Sequence, residues 1–408
     1  MTLQHNGNPD PDPSDPRGGP APALSVDRPG DALALVRYTF GRLPSDSLVL
    51  IGLHGGTTGG HLRLDFTAAL DQPRHCAQKA AAWLAGPEAE PVPEAVLAAV
   101  FTDTPLTRGR RSGSRVVQEL QRILELKYNC PLVKTWHVAG GFVRDFECAD
   151  GSCCPYPGLD VEEQLTAALT RSPQLASLPP ASSPAHIIET FLGVPPAPHA
   201  PTEEMISSAR KCAGRAHRGR SELRLWDVSL QEITTTGRCE SVVNPGHTAL
   251  LLRSAEDALL VQALAPLAAA GTETAQSGCR SPASVGEREA VPAHSAADRT
   301  YQDFAAALTG TTDAPPDWKR VEALDALLHL LIPYQGPQRL NLLALKGWIE
   351  WAKGSGSSAT LAVEKCLQEE PEHLLGGFLR ELFEASGPCS WARAKQLSYG
   401  WWRSQQPA

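Results

Sequence analysis

The first half of the chain mixes two periods of apolar residues, and the second half keeps to one. "DSLVLIGL" (Asp46 to Leu53) is a continuous apolar run with β-branched members, followed by "HGGTTGG" and then "HLRLDF". In the last segment Leu62, Leu64 and Phe66 alternate with Arg63 and Asp65, so the pattern predicts a β-hairpin with a glycine-rich connection. "RHCAQKAAAWLA" from Arg74 reads as a helix by alanine content and spacing, and "AVLAAVF" ending at Phe101 has the length of a buried strand. "SRVVQELQRILELK" then places Val116, Val117, Leu120, Ile123 and Leu124 on one helical face. "PLVKTWHV" and "FVRDFEC", split by Gly140 and Gly141, signal a second hairpin. The order β, β, α, β, α, β, β predicts an α/β unit, a mixed sheet with helices packed on it.

Proline then punctuates the chain, in "RSPQLASLPPASSPAH" and "LGVPPAPHAPTEE", which read as connector around a short helix "IIETFL". Helical spacing returns at "EEMISSARKCAGRAHRG" and again in "WKRVEALDALLHLL", "LNLLALKGWIEWAKG", "SATLAVEKCLQEE" and "PEHLLGGFLRELFEA". Between these lies Ala268 to Ala297, rich in small and polar residues without an apolar period, which reads as a disordered loop. The predicted organisation is a disordered tail over 1–23, an α/β domain over 24–165 and a Pro-rich connector over 166–204. A helical segment over 205–267, the loop over 268–297, a helical domain over 298–391 and a tail over 392–408 follow. Counting back from Pro371, Leu343, Gly347, Ala359, Val363 and Cys366 fall where a tetratricopeptide-like hairpin places its apolar and small residues. Lys346 and Glu350 stand where that hairpin has an apolar and an aromatic residue.

A length of 408 residues exceeds a single core, and 42% apolar residues suffice for two units. The net charge of -8 argues against nucleic acid as the main partner. The basic stretches "RGRRSGSR" (Arg108 to Arg115) and Arg210 to Arg224 read as solvated surfaces. The N-terminal "MTLQHNGNPDPDPSDPRGGPAPA" lacks the basic start and apolar run of a secretory signal, and no stretch approaches a membrane span. These features lead to the expectation of a cytoplasmic, non-membrane protein whose ten cysteines are mostly thiols. Seven of them, Cys76, Cys130, Cys212, Cys239, Cys279, Cys366 and Cys389, are scattered singly and read as small buried residues.

The remaining three crowd into "CADGSCCPYPG", where Cys148, Cys153 and Cys154 leave a strand just ahead of a Pro-Tyr-Pro-Gly turn. A structural corner, with one of the adjacent cysteines facing the core, is the favoured reading. A metal reading takes Cys148 with Cys153 or Cys154 as a first pair of zinc ligands and His137 on the neighbouring strand as a third. A thiol or redox reading needs a nearby basic side chain, and Arg144 is close in sequence. Elsewhere the common chemical motifs are missing. "GLHGGTTGGH" is followed by a strand rather than by a Lys-Ser or Lys-Thr helix start, and the chain has neither a Gly-x-Ser-x-Gly elbow nor a His-Glu-x-x-His pair. No catalytic residue and no cofactor other than the candidate zinc is assigned. The leading expectation is a non-catalytic interaction or regulatory module with a protein partner. The alternative is a metal- or thiol-dependent enzyme centred on the three cysteines.

Together, "YTFGRLPSDSLVLIGLHGG", "LRLDF", "CADGSCCPYPG" and "LLALKGWIEWAKGSGSSATLAVEKCLQEEPEHLLGGFLRELF" resemble the family called domain of unknown function 4192. The likeness covers roughly Leu24 to Trp391, with the Asp-Ser strand entry and the Cys-Cys-Pro turn as its most specific marks. Where that family has an aromatic-serine pair ahead of the first cysteine, this chain has Arg144, Asp145 and Phe146. The resemblance implies an actinobacterial cytoplasmic protein and carries no assigned activity.

Overall fold

The computed structural model describes residues 2–3, 24–26, 28–55, 57–86, 92–103, 113–148, 150–152, 154–171, 201–211, 218–239, 244–278 and 296–406. The chain folds as two compact units that divide between Ser183 and Pro184.

In the first unit, β1 (Thr2–Leu3) pairs with β2 (Leu24–Ser25) in a small antiparallel ladder. After it come α1 (Pro29–Phe40), β3 (Ser47–His54), β4 (Thr57–Asp65), α2 (Phe66–Asp71), α3 (Pro73–Ala85) and β5 (Ala95–Thr102). The unit continues with α4 (Ser114–Tyr128), β6 (Leu132–Ala139), β7 (Phe142–Asp145), β8 (Leu159–Asp160) and α5 (Val161–Arg171). Six strands lie in the order β4-β3-β5-β6-β7-β8. Every neighbouring pair is antiparallel except β5 and β6, whose parallel step is made by the crossover helix α4.

Alternation along the strands sorts the side chains onto two faces. Val49, Ile51 and Leu53, with Leu97, Ala99, Trp136 and Val138, pack against α1 and α5. Leu48 and Leu50, with Val96, Ala98 and Val100, meet α2, α3 and α4. All five residues of the expected apolar face of α4 are buried. Both predicted hairpins are present. Gly140 (φ 57°) and Gly141 (φ 83°) take the two positive φ values that a tight turn matching strand twist requires. The sheet is therefore mixed and covered on both sides. Helices α1 and α5 are absent from the sequence-derived order; α1 is buried without a break from Gly30 to Val36 and so shows no polar face to set a period. They pack on each other where Gly30 of α1 lies against the Gln164 carbonyl oxygen and Ala168 of α5. The expected domain end at Leu165 consequently falls inside α5, which runs to Arg171.

The second unit is helical throughout its described residues. Its elements are α6 (Glu203–Lys211), α7 (Arg218–Thr236), α8 (Pro245–Ser254), α9 (Ala258–Ala270), α10 (Thr272–Gly278) and α11 (Ala296–Leu308). Next come α12 (Trp318–Leu331), α13 (Gln338–Ala352), α14 (Gly356–Glu369), α15 (Leu374–Ser386), α16 (Ser390–Arg393) and α17 (Tyr399–Ser404). Five tryptophans, Trp226, Trp318, Trp348, Trp351 and Trp391, anchor the core. Each indole N–H donates to a named oxygen: Ser254 Oγ, Leu397 O, Leu308 O, Gly387 O and Thr312 Oγ1 respectively. That is what a buried indole needs to avoid an orphaned donor. Helices α13 and α14 pack on each other and approach closely at Gly347. A Cβ there would stand 2.9 Å from Val363 Cγ2 and 3.2 Å from the Ala359 carbonyl oxygen.

The expected disordered loop and the expected C-terminal tail both contain structure. Ala268 to Ala270 complete α9 and Thr272 to Gly278 form α10, with Ala268, Ala269 and Ala275 buried. Alanine carries high helix propensity and permits close packing without a large apolar period, so composition alone misreads it. In the expected C-terminal tail, Leu397, Tyr399 and Trp402 pack against the helical core. The "IIETFL" segment, residues 279–295 and most of the N-terminal tail lie outside the described residues.

Candidate functional site

The densest reactive chemistry stands where β7 leaves the sheet. Asp145, the last residue of β7, turns the chain: its Oδ1 accepts from the backbone N–H groups of Glu147 (2.9 Å) and Cys148 (3.0 Å). Its Oδ2 pairs with Lys134 Nζ of β6 at 2.5 Å. Burial works to raise the Asp145 carboxyl, but Lys134 and the two N–H groups outweigh it and hold it below the usual carboxylate range. The pairing register explains the meeting. Asp145 lies opposite Trp136, and Lys134 is two residues back on the same face.

The Asp150 carbonyl gathers the two described thiol residues. It accepts from Cys148 Sγ at 3.8 Å and from the Cys154 backbone N–H at 2.9 Å. Both cysteines are half-buried. The Lys134 ammonium is held above its usual value, first by Asp145 and then by the nearby Cys154 and Cys148. Arg144 donates to the Cys148 carbonyl oxygen at 3.5 Å and lies over the Tyr156 ring, 4.7 Å from its centroid. Gly158 closes the corner at φ 148°, where a Cβ would come within 2.7 Å of the Val143 carbonyl oxygen. Only glycine fits that approach.

The structure brings together part of the candidate metal set. Cys148 and Cys154 share the corner, whereas Cys153 lies outside the described residues. His137 is 3% exposed and packs edge-to-face on Phe146, 5.8 Å between ring centroids. Phe146 belongs to the sheet face covered by α2 to α4, and Trp136 to the opposite one. Period-2 alternation therefore turns His137 away from the face that carries Lys134 and Asp145. Among the described residues no three His, Cys, Asp or Glu side chains are grouped so that they could hold a metal ion. Arg144, the basic side chain suggested by sequence proximity, binds backbone and aromatic ring. Lys134, fourteen residues before Cys148, is a second cation at this corner, held there by Asp145, whose other oxygen takes the Cys148 N–H.

Residues 29–388 match the family model described as domain of unknown function (DUF4192). The chain belongs to this family. Neither the curated proteins nor the solved structures contain a match to it. No helix among the described residues is long and apolar enough to cross a membrane.

A second cluster lies inside the helical unit of this DUF4192 chain. Lys346 of α13 and Lys353, the residue just past its end, bind the two oxygens of Asp325 of α12, each at 2.6 Å, and Lys346 also pairs with Glu350 at 2.5 Å. Lys346 is 2% exposed and Glu350 5%. Burial pushes Asp325 upward, and the two ammonium groups more than reverse it, so its carboxyl titrates below the usual range. Tyr399 covers the edge: its ring lies 4.9 Å from Lys353 Nζ and its hydroxyl donates to Glu322 at 2.7 Å. Two positive and two negative charges close on one another. Sequence periodicity flagged Lys346 and Glu350 as departures but gave no sign of Asp325 or Lys353.

A serine-histidine contact joins α7 to α8, with Ser229 Oγ 2.8 Å from His247 Nε2. The serine is fully buried, and its hydroxyl donates to the Leu225 carbonyl oxygen at 2.8 Å. His247 then serves as the donor, which is the reverse of what activation of a serine nucleophile requires.

Proposed function

We propose that this DUF4192 chain is a non-catalytic interaction or regulatory module with a protein partner. The observation that carries this reading is the mutual pairing of its buried ionisable groups. Lys346, Asp325, Lys353 and Glu350 neutralise one another, and a carboxylate held below its ordinary range between two ammonium groups neither gives nor takes a proton near neutrality. The deep thiols are equally inert, since burial pushes Cys130 up to about 11 and Cys366 and Cys389 up to about 12. Exposed apolar side chains such as Leu259 and Leu374 supply contact surface on the helical unit.

Photo-cross-linking in cells from positions 259 and 374 tests the reading. One discrete, saturable protein adduct that Leu374→Glu diminishes supports it. Adducts that only track cellular abundance at both positions overturn it. The metal-dependent alternative has its own test, elemental analysis of purified protein: close to one zinc per chain, lost in Cys148→Ser, would move the enzyme reading ahead.

A further inference from the structure

Seven cysteines lie among the described residues, and they divide sharply by environment. Cys130, Cys366 and Cys389 are buried, burial also raises the half-buried Cys76, and the half-buried Cys239 packs against the helical core. Cys148 and Cys154 are set apart as a pair by their common corner. Both are partly open to solvent, the Cys148 thiol and the Cys154 N–H meet at the Asp150 carbonyl oxygen, and the Lys134 ammonium is held at the same corner by Asp145. The backbone positions that ammonium independently, because Asp145 binds Lys134 with one oxygen and the Cys148 N–H with the other.

We propose that Cys148 and Cys154 are a dithiol site that a hydroperoxide converts reversibly into a disulfide. In the first step one sulfur, as thiolate, attacks the nearer peroxide oxygen. The S–O bond forms as the O–O bond breaks, and the departing alkoxide or hydroxide takes a proton and leaves as alcohol or water. In the second step the other sulfur attacks the sulfenic sulfur. The S–S bond forms, the S–O bond breaks, and hydroxide leaves as water. Two thiols together lose two electrons and two protons, and the peroxide is reduced by the same two electrons. Lys134 favours anionic sulfur in both steps because Asp145 holds its charge at the corner that carries both cysteines.

The turn between them can adjust to closure. The Cys154 N–H donates to the Asp150 carbonyl oxygen at 2.9 Å, and a Cβ on Gly151 would meet nothing within 4 Å. A disulfide there ties the exit of β7 to the turn that leads into β8 and α5, so oxidation acts on an edge of the sheet. The inference concerns the chain alone and does not rest on the existence of a protein partner.

The test starts from fully reduced, full-length protein treated with hydrogen peroxide at near-stoichiometric amounts. Free thiols are counted and linked peptides are mapped by mass spectrometry. The expected result is the loss of two thiols, a Cys148 to Cys154 linkage, and full recovery with dithiothreitol. Cys153→Ser keeps the linkage. Cys148→Ser and Cys154→Ser each abolish it and leave a sulfenic acid that dimedone traps. Lys134→Met slows the oxidation several-fold while Lys134→Arg does not, and thermal melts confirm that both fold. A linkage through Cys153, or reaction of Cys130, Cys366 and Cys389 as fast as the corner thiols, overturns the proposal without touching the partner reading. The wild-type mapping decides even if a Lys134 variant fails to fold.

Discussion

Replacing Lys346 by Met removes the centre of the buried ion cluster and leaves Glu350 as a carboxylate that has lost its ammonium. Lys346 is 2% exposed and Glu350 5%, so water cannot take the place of the missing charge without opening the helix pair. Stranding one member of a buried ion pair costs about 3–5 kcal/mol. For a unit of this size that corresponds to a fall in melting temperature of about 6–20 °C. Removing both members tells a different story. Lys346→Met with Glu350→Leu deletes a balanced pair while Asp325 keeps Lys353 at 2.6 Å, and such replacements are close to neutral or stabilising. The double variant should therefore recover most of the loss. Tryptophan fluorescence in urea is the suitable assay, because seven of the nine tryptophans, Trp226, Trp318, Trp348, Trp351, Trp391, Trp401 and Trp402, lie in the helical unit. A single variant that costs less than about 1 kcal/mol, or a double variant as unstable as the single one, would refute the reasoning. The pair of lysines on Asp325 adds a pH signature. A carboxylate whose folded value is depressed contributes stability above its unfolded value of about 3.9, and that contribution disappears as the pH falls through the lower folded value.

In the sheet, Ile51→Asp places an unpaired charge at a position 3% exposed between strand and helix, and should cost several kcal/mol; a soluble, cooperatively folding variant would contradict the strand's burial. Ala359→Leu should destabilise the helical unit by roughly 1–3 kcal/mol through overpacking against Gly347, with the α/β unit's own transition unchanged in a urea titration. Burial lowers His247, His329 and His373, all in the helical unit, so each contributes stability above its unfolded value of about 6.5 that declines as the pH drops through it. Midpoints measured between pH 8 and pH 5 should fall for the helical unit, and a flat profile would contradict the shifts. Truncation after Arg393 removes the Leu397 acceptor of the Trp318 indole and should cost at least about 1–3 kcal/mol, seen as a lower urea midpoint.

How much of this architecture could be read from the chain depended on the range of the interactions involved. Both hairpins were readable because period-2 alternation and a Gly-Gly turn are local signals. The buried face of α4 was readable because one helix writes its own stripe. Helix α1 was not, since Ala32 to Val36 are all buried and a segment covered on several sides shows no polar face to set its period. Helices α9 and α10 escaped for a related reason. Ala268, Ala269 and Ala275 look like filler in a low-complexity stretch, and only the packing partners reveal that their small size is what the site needs.

The site residues obey the same distinction. Three cysteines within seven residues announce a special corner, but which sulfurs share a charge is decided by strand register. Lys134 and Asp145 are eleven residues apart and meet because β6 and β7 pair with Trp136 opposite Asp145. His137 is one residue from Trp136, and that single step sends it through the sheet to Phe146. In the helical unit, Lys346 and Glu350 interrupt an apolar pattern, and the interruption makes sense only with Asp325 of the preceding helix in view. A charged residue at a position that periodicity reserves for the core therefore implies a partner elsewhere in the chain. Leaving it bare costs several kcal/mol, so the fold must supply the counter-charge or the pattern could not persist. The helical unit supplies Asp325 to Lys346 in this way, and the sheet supplies Lys134 to Asp145. At the sheet's corner that same lysine is tied through Asp145 to the backbone of Cys148, where a charge can change chemistry as well as stability.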